Sequence, residues 1–436
     1  MNEIKTGRQR RIGIFALLGL LLSWVVSCSS AGVGTGSGQS IPNSLSLEFW
    51  TMQLQPQFTN YFKQLIATFE AGNPGMKVKW VDVPWEAMPG RILTSVSAKT
   101  APDVVNLNPD FASRLAGHNA WLELDAKVPA NVRSTYLSNI WKASTLNSKS
   151  FGIPWYLTTE LTIYNKDLLK RAGLTQPPAT YAELAAVALR IKQKTGKYAL
   201  FITLVPEDSA QVLESLVQMG VTLVDEQGKA AFNTSQGLAA FEYWVDLYRK
   251  GLLPQEVLTQ GHRRGIELYQ AGEIALLSSG AESLNNIAKN APAIAQVSAI
   301  APQITGVTGK KSVAVMDLVI PRSTKNPDAA LKFALFVTND QNQLTFAKAA
   351  NTIPSTLQAL SDSYFKSAGS QSTLNDRARS VSASQMKQAE VLIPAMKELN
   401  LLQKAIYENL QAAMLGEKTV EQAIADAALE WNENKS

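Results

Sequence analysis

Residues 45–83 read LSLEFWTMQLQPQFTNYFKQLIATFEAGNPGMKVKWVDV, and this stretch decides the fold class. Apolar residues alternate with polar ones from Leu45 to Phe49, which predicts a strand. Between Phe58 and Ala71 the apolar residues recur at helical spacing, and Asn73-Pro74-Gly75 ends that helix. Lys77 to Val83 then predicts a second strand. A strand, a helix and a strand in direct succession indicate an α/β protein.

The same alternation continues along the chain. Ala101-Pro102-Asp103-Val104-Val105 opens another strand, and strands and amphipathic helices alternate to about residue 350. Taken alone, this pattern predicts an α/β fold with mostly parallel sheets. Residues 376–431 contain no convincing strand, so a C-terminal helical segment is expected.

The N-terminus has the pattern of an export signal. Basic residues, among them Arg10 and Arg11, precede an apolar run from Ile12 to Val26. Fifteen helical residues would span roughly 22 Å, which is short of the ~30 Å of a membrane core. We therefore predict a signal peptide over residues 1–27 rather than a membrane-spanning helix.

Val25-Val26-Ser27-Cys28 follows that run, and Gly and Ser dominate residues 29–39. The four residues resemble the lipobox of bacterial lipoproteins, in which the cysteine is acylated and becomes the first mature residue. The resemblance implies lipidation at Cys28. Residues 28–40 are then a flexible, lipidated tether to the membrane.

Composition excludes several classes of function. Much of the formal charge of +5 lies before Ile12, so the body is nearly neutral and no basic stripe indicates nucleic acid as a partner. Cys28 is the only cysteine, which excludes an internal disulfide and a thiolate metal site. The only histidines, His118 and His262, are not spaced as metal ligands. We expect no metal and no cofactor.

Polar and aromatic residues gather where the predicted strands end. Ligands of α/β sheets bind beyond the carboxyl ends of strands. Flat aromatic faces together with planar polar groups are the mixture that a sugar site requires. The segments at these ends are Thr51 to Gln53, Pro84-Trp85, Asn108 to Asp110, Trp155 to Glu160 and Ser278 to Glu282. For Trp85 and Trp155, contact with a ligand and burial in the core are equally plausible from the sequence.

An ordered series of motifs from residue 45 to residue 431 resembles the extracellular solute-binding proteins of the maltose-binding type. Each motif is weak alone, but their order and spacing match that family throughout. They include Leu47-Glu48-Phe49-Trp50, Ala101-Pro102-Asp103-Val104-Val105, Gly152-Ile153-Pro154-Trp155-Tyr156, Tyr164-Asn165-Lys166-Asp167, Gly272-Glu273-Ile274-Ala275-Leu276 and Lys325-Asn326-Pro327-Asp328.

The resemblance implies a two-lobed periplasmic-binding-protein fold of type II-like form, with mixed sheets and flanking helices. The N-terminal lobe would comprise residues 41–158 and 318–350, and the C-terminal lobe residues 159–317 and 354–436. A solute would bind in the cleft, and the lobes would close on it. The protein would be a non-enzymatic monomer at the extracytoplasmic (periplasmic) face of the membrane, serving the permease of an ABC importer.

Site residues carried over from the family give a mixed result. The two carboxylates that grip sugar hydroxyls match Asp110 and Glu160, whereas the stacking tryptophans are replaced by Leu107, Glu282 and Gln403, and an arginine by Phe111. A compact carbohydrate or polyol is therefore expected rather than a long glucan. The complete expected site is Met52, Gln53, Trp85, Asn108, Asp110, Trp155, Tyr156, Glu160, Gly280, Glu282, Met316 and Asp317, in which Trp85, Trp155 and Tyr156 would replace the lost stacking rings.

Two alternatives remain open at this level. A glycerol-phosphate or glycerophosphodiester ligand would need Arg or Lys, for which Arg91, Arg263, Arg264 and Lys310-Lys311 are candidates. Asp110 and Glu160 could also form the carboxylate pair of a glycoside-acting enzyme, although binding proteins use such groups simply as acceptors.

Overall fold

The computed structural model describes residues 45–116, 119–206, 208–366, 369, 372–393, 396 and 398–434. The expected signal peptide, the tether and Cys28 lie outside these residues, as does His118. Among the described helices, none has both the length and the apolar character needed to cross a membrane.

Twelve strands occur in the described residues. They are β1 (Leu45–Met52), β2 (Met76–Val83), β3 (Val104–Leu107), β4 (Thr145–Leu146), β5 (Lys149–Ser150), β6 (Gly152–Thr159), β7 (Leu161–Asn165), β8 (Leu276–Ser279), β9 (Ser298–Pro302), β10 (Lys311–Val319), β11 (Ile353–Pro354) and β12 (Ala389–Glu390).

Eighteen α-helices accompany these strands within the described ranges. They are α1 (Thr59–Gly72), α2 (Met88–Ser97), α3 (Pro109–Ala116), α4 (Ala130–Arg133), α5 (Ser138–Ala143), α6 (Lys166–Arg171), α7 (Tyr181–Thr195), α8 (Gln211–Gln218), α9 (Ser235–Arg249), α10 (His262–Gln270), α11 (Ser283–Asn290), α12 (Pro292–Val297), α13 (Pro327–Val337), α14 (Asp340–Ala350), α15 (Leu357–Leu360), α16 (Leu374–Gln385), α17 (Leu399–Leu415) and α18 (Val420–Asn434).

The opening strand, helix and strand form as the sequence predicts. Helix α1 buries Phe62, Leu65 and Phe69, whose spacing places them on one face. Gly75 then takes a φ of 86°, a left-handed conformation that glycine adopts without strain. This turn allows β2 to return parallel to β1 over its whole length, from the pair Leu45 and Met76 to the pair Met52 and Val83.

Two sheets organise the molecule. The larger has the order β11-β6-β10-β3-β1-β2, with β12 added beside β10, and the smaller has the order β8-β7-β9. In the larger sheet β1 pairs in parallel with β2 and β3, whereas β10 is antiparallel to both β3 and β6. The smaller sheet is antiparallel throughout. The expectation of mostly parallel sheets is therefore wrong, and the mixed sheets implied by the family resemblance are confirmed.

The apolar core consists of separate clusters around the two sheets. One large cluster surrounds the smaller sheet and includes Phe241, Trp244, Tyr407 and Trp431. Separate clusters cover the larger sheet, one of which contains Phe49, Trp155 and Phe333. We call the body around the larger sheet the first lobe and the body around the smaller sheet the second lobe. In the described part of the C-terminal segment α16, α17 and α18 are helical as expected, whereas the residues between α16 and α17 form β12 and irregular chain.

Gly237 is the glycine with the tightest backbone contact in the second lobe. It follows the N-cap Thr234 of α9, and a Cβ added there would lie 1.8 Å from the carbonyl oxygen of Phe232. Gly237→Ala should therefore lower the free energy of unfolding by about 3 kcal/mol, because backbone cannot move aside as a side chain can. Urea denaturation measures this difference.

Gly90 in α2 is the matched control for that substitution. A Cβ added there meets no heavy atom within 4 Å. Gly90→Ala should raise the free energy of unfolding by about 0.5–1 kcal/mol, because alanine favours the helix more than glycine does. Equal stability of the two variants would contradict this account of Gly237.

Candidate functional site

A cavity of about 470 Å³ with both polar and apolar lining opens where the chain passes from the larger sheet to the smaller one. The link from β6 to β7 forms its floor, β10 crosses beside it, and the second lobe supplies the remaining wall from α8, α10 and the turn between β8 and α11. The lining side chains used below are Glu160, Asp208, Gln211, Glu214, His262, Ser278, Glu282 and Ser312.

Glu160 occupies the link between β6 and β7 and accepts three hydrogen bonds from side chains. Its Oε1 accepts from Nε2 of Gln211 at 2.7 Å. Its Oε2 accepts from Oγ of Ser278 at 2.7 Å and from Nε2 of Gln303 at 2.9 Å. Hydrogen bonds to a carboxylate stabilise its charged form. The donors hold Glu160 as an oriented anion on the cavity floor.

Gln303 ties that anion to the crossing strand. Its Oε1 accepts from the backbone N–H of Ser312 in β10 at 2.7 Å, and its own N–H donates to Gln385 at 2.7 Å. Gln385 in turn donates to the carbonyl oxygen of Glu160 at 3.1 Å. Both glutamines are buried. Segments distant in sequence are thus fixed around one carboxylate.

Glu214 is a second carboxyl group on the same wall, one turn after Gln211 on α8. Ser312 donates from Oγ to its Oε1 at 2.7 Å. Burial raises the pKa of Glu214 above the ordinary glutamate value, and the charge of nearby Glu160 raises it further, while the Ser312 hydrogen bond acts in the opposite direction. The wall therefore holds two acids in unequal environments.

Gly280 and Glu282 form the rim of the cavity at the turn after β8. A Cβ added at Gly280 would lie 2.1 Å from Oε2 of Glu282, so the glycine leaves room for the carboxylate to fold back over the turn. Glu282 is exposed as a residue, but burial of its carboxyl group raises its pKa above the ordinary glutamate value, backbone hydrogen bonds of the turn act in the opposite direction, and the charge of Glu160 raises it further.

The segment before α8 is anchored from two sides. Gln403 and Tyr407 on α17 both donate to the carbonyl oxygen of Ser209, each at 2.6 Å. On the other side Asp208 accepts from the backbone N–H of His262 at 2.7 Å, at the start of α10. Gln403, which the family resemblance put at the position of a stacking tryptophan, is buried and contacts the cavity wall from behind.

The wall is rich in carboxyl groups and other hydrogen-bonding side chains. Asp208, Glu160, Glu214 and Glu282 contribute carboxyl groups, with serine hydroxyls and Gln211 between them. Among the described residues that line the cavity, none is Lys or Arg. Such a wall suits the hydroxyl groups of a neutral solute and is unfavourable for an anion.

Three of the expected site residues line this cavity, namely Glu160, Gly280 and Glu282. Others lie in the first lobe, away from its lining. Gln53 is exposed, with a φ of 53°, and accepts from the backbone N–H of Trp85 at 3.3 Å. Trp85 is 40% exposed, and its ring lies 5.8 Å from that of Phe111.

Asn108 and Asp110 also belong to the first lobe. The Asn108 side chain accepts from the backbone N–H of Phe111 at 2.7 Å and so caps α3. Asp110 lies in the first turn of α3, and its side chain is outside the part of the structure that is described.

Trp155 does not offer its ring to the cavity. The sequence suggested the end of a strand, but Trp155 lies in the middle of β6, fully buried, with its ring stacked on Phe346 at 5.0 Å. Tyr156 packs against the same phenylalanine at 5.2 Å. Met52 and Met316 are also buried in the core of the first lobe. The burial of Trp155, Met52 and Met316 speaks against contact with a ligand, whereas Tyr156 is only partly buried and its expected role stays a prediction.

Asp317 is likewise a core residue rather than a cavity residue. It is fully buried in β10, where it accepts from the hydroxyl of Ser144 and packs against Gly152. Burial raises the pKa of Asp317 from the ordinary 3.8 to about 7. Leu107, which the resemblance put at another stacking position, is buried too.

Gln211, Glu214 and Ser312 were not predicted from the sequence. A signal for the first two does exist, because the apolar run Ala199 to Val205 is followed at once by polar residues and the helix that carries them. The rule that ligands bind beyond strand ends could have indicated this segment. In the described part of the chain, no group of three or more His, Cys, Asp or Glu side chains is arranged to hold a metal ion.

Comparison with known proteins identifies close similarity in sequence and fold. A family model described as bacterial extracellular solute-binding protein matches residues 55–344. The structure resembles that of a periplasmic-binding protein from Synechococcus sp. MITs9220 that is named for oligosaccharides. Identity is 43%, the TM-score is 0.81, and the match covers 89% of this chain and 98% of that chain.

Two curated relatives extend the comparison. A galactooligosaccharide-binding protein of Bacillus subtilis (strain 168) is 22% identical over 94% of each chain. An uncharacterized lipoprotein of Streptomyces antibioticus is 23% identical over 81% of this chain and 78% of its own length.

Proposed function

Because this chain belongs to the bacterial extracellular solute-binding proteins, a family of binding proteins, we propose that it captures a small neutral carbohydrate or polyol and delivers it to the permease of an ABC importer. The observation that carries the proposal is the wall around Glu160, where carboxyl, hydroxyl and amide groups face one cavity. Carboxylates and planar amides are suited to accept the O–H groups of such a solute.

The relatives support the same class of solute. One is named for oligosaccharides and another for galactooligosaccharides. The first of these matches nearly the whole described part of the chain at 43% identity. The absence of Lys and Arg from the described lining weighs against the glycerol-phosphate alternative.

We place the second half of the site on the first lobe. The exposed ring of Trp85, together with Gln53, Asn108 and Asp110, would close over the solute when the lobes approach. Rotation would occur where β6, β10 and the segment before β11 cross, near residues 158, 317 and 351–354. The lobes are then residues 41–158 with 318–350, and residues 159–317 with 354–436.

The protein acts outside the cytoplasm, as the family description implies. We propose that Cys28 carries the lipid that anchors it, with residues 28–40 as the tether and the mature protein a monomer. The lipoprotein of S. antibioticus among the relatives is consistent with this arrangement. The solute is bound and released intact, without turnover.

A thermal-shift screen of the mature protein tests the solute class. Neutral mono- and disaccharides and polyols, represented by galactose, maltose and mannitol, include the expected ligands, whereas maltotriose and glycerol 3-phosphate should not bind. A ligand at 100 times its dissociation constant should stabilise the protein by about 2.7 kcal/mol. The reason for the selectivity is the carboxylate-rich wall, which has no Trp, Tyr, Lys or Arg among its described lining residues.

The outcomes of the screen separate the alternatives. Glycerol 3-phosphate as the strongest stabiliser would establish the phosphate alternative in place of the carbohydrate. Strong binding of maltotriose would show that the departures from the maltose pattern were misjudged. Chromatography of the bound sugar after long incubation checks turnover, and recovery of hydrolysed sugar would contradict a purely binding role.

A further inference from the structure

Glu160 and Glu214 stand side by side but receive very different numbers of donors. Side chains donate three hydrogen bonds to Glu160. Among the described residues, only Ser312 donates to Glu214, and it does so to Oε1. A carboxylate is stabilised by the donors around it, so the negative charge belongs on Glu160. The hydrogen-bond pattern therefore favours protonation of Glu214 rather than of Glu160.

The two acids are also linked through shared neighbours. Gln211 reaches Glu160 from the turn of α8 that precedes Glu214. Gln303 bonds Glu160 with its amide and the backbone of Ser312 with its carbonyl oxygen, and Ser312 bonds Glu214. Both glutamates line the main cavity and also a smaller compartment of about 40 Å³ behind it. Two ionised carboxylates in that position would repel each other without a cation between them.

No described cation offsets a charge on Glu214. From α7 and α17 the groups that face it are the phenols of Tyr181 and Tyr407, whose pKa values burial raises, so both are neutral. From β10 it meets the hydroxyl of Ser312, while Lys311 directs Nζ to the carbonyl oxygen of Gln303.

The remaining titratable groups of the cavity do not change this balance. Asp208 and His262 are paired with each other, at 3.1 Å between Oδ2 and Nδ1, and Glu282 is a further carboxyl group, whose pKa burial raises, so it supplies no positive charge. The surroundings of Glu214 therefore favour its neutral form.

We propose, on the basis of the proposed carbohydrate function, that Glu214 binds the solute as a neutral carboxylic acid. Its O–H donates a hydrogen bond to a solute oxygen, while the ionised Glu160 beside it accepts one from a solute hydroxyl. The two glutamates together thus recognise an acceptor oxygen and a donor hydroxyl that are adjacent on one solute. Capture is therefore linked to a proton, and it weakens when Glu214 ionises.

Infrared spectroscopy tests the protonation state without any solute. The carbonyl stretch of a protonated carboxyl group should be present in the mature protein at pH 7. It should decrease in Glu214→Gln by the contribution of one group. Because buried Asp317 contributes a similar band, the difference between the wild type and Glu214→Gln is the decisive measurement. An unchanged band in that variant would overturn the proposal.

Calorimetry with maltose and mannitol as probes tests the linkage. The dissociation constant of the probe that binds should rise about tenfold per pH unit above the pH at which Glu214 ionises. Glu214→Gln keeps a donor but cannot ionise, so it should bind several-fold more weakly at pH 6 and lose the pH dependence. Glu214→Ala should lose binding at every pH. A wild-type affinity that is constant from pH 6 to pH 9.5 would overturn the proposal.

The two experiments fail independently of each other. If neither probe nor any other neutral sugar binds, the proposed function is wrong, and the infrared difference still decides whether Glu214 holds a proton. If a sugar binds with a pH dependence that survives in Glu214→Gln, the proposed function stands and the role of Glu214 is refuted.

Discussion

Replacing Glu160 by alanine should weaken solute binding at least tenfold and leave the two lobes folded. Glu160 accepts hydrogen bonds from Gln211, Ser278 and Gln303. In the proposed function it would also accept a charge-assisted hydrogen bond from the solute. One such bond contributes roughly 1.5–3 kcal/mol. Its three protein donors lose their acceptor in the variant, but the open cavity allows water to replace it. Affinity should therefore fall much further than the melting temperature of the free protein.

Isothermal titration with the sugar that stabilises the wild type measures this loss. Glu123→Ala is the matched control, because Glu123 pairs with Lys149 at 3.0 Å on the surface of the first lobe. Exposed ion pairs contribute little, so that variant should bind like the wild type. Normal binding by Glu160→Ala would show that the cavity around Glu160 is not the solute site.

Replacing Asp317 by asparagine should stabilise the protein at pH 8 and remove part of its pH dependence. The pKa of Asp317 is about 7 in the folded protein against an ordinary 3.8. Such a group favours folding at acidic pH, and this contribution is lost as the pH rises from about 4 to about 7. The shift corresponds to at most about 4 kcal/mol. Asparagine is neutral at every pH and still accepts the hydrogen bond from Ser144.

Urea denaturation at pH 5, 6, 7 and 8 measures the effect. The free energy of unfolding of the wild type should fall over this range more steeply than that of Asp317→Asn. Glu214 also titrates above its ordinary range, so the difference between the two proteins isolates Asp317. Asp246→Asn, an exposed change on α9, serves as the control. Parallel pH profiles for the wild type and Asp317→Asn would contradict the buried-acid account.

The local spacing of apolar residues was sufficient to predict individual strands and helices. It was not sufficient to predict which strands pair in the sheets. The spacing of apolar residues in 45–83 predicts β1, α1 and β2, because each depends on residues close in sequence. The antiparallel pairing of β10 with β6 joins Val313 to Thr159, and no local pattern contains that contact. The mixed sheets therefore came only from the family resemblance, whose ordered motifs carry the long-range arrangement.

The candidate site shows the same division. Glu160 and Glu282 were predicted correctly as cavity residues because the motifs that contain them lie at strand ends. At a strand end the sheet determines where the chain emerges. Trp155 was misplaced because β6 begins at Gly152, so the tryptophan lies inside the strand rather than after it. Gln211 and Glu214 were missed because the apolar run before them was not used to locate a strand end, and their place beside Glu160 depends on contacts distant in sequence.

The contacts around Glu160 also determine when the site can form during folding. Gln303 and Gln385 lie 143 and 225 residues from Glu160 along the chain. Bringing such distant segments together costs loop-closure entropy that nearby contacts do not require, and proteins rich in distant contacts fold slowly. We expect the lobes to acquire most of their secondary structure while the network around Glu160 is still open. Competence to hold a solute is then among the last properties the newly exported chain acquires.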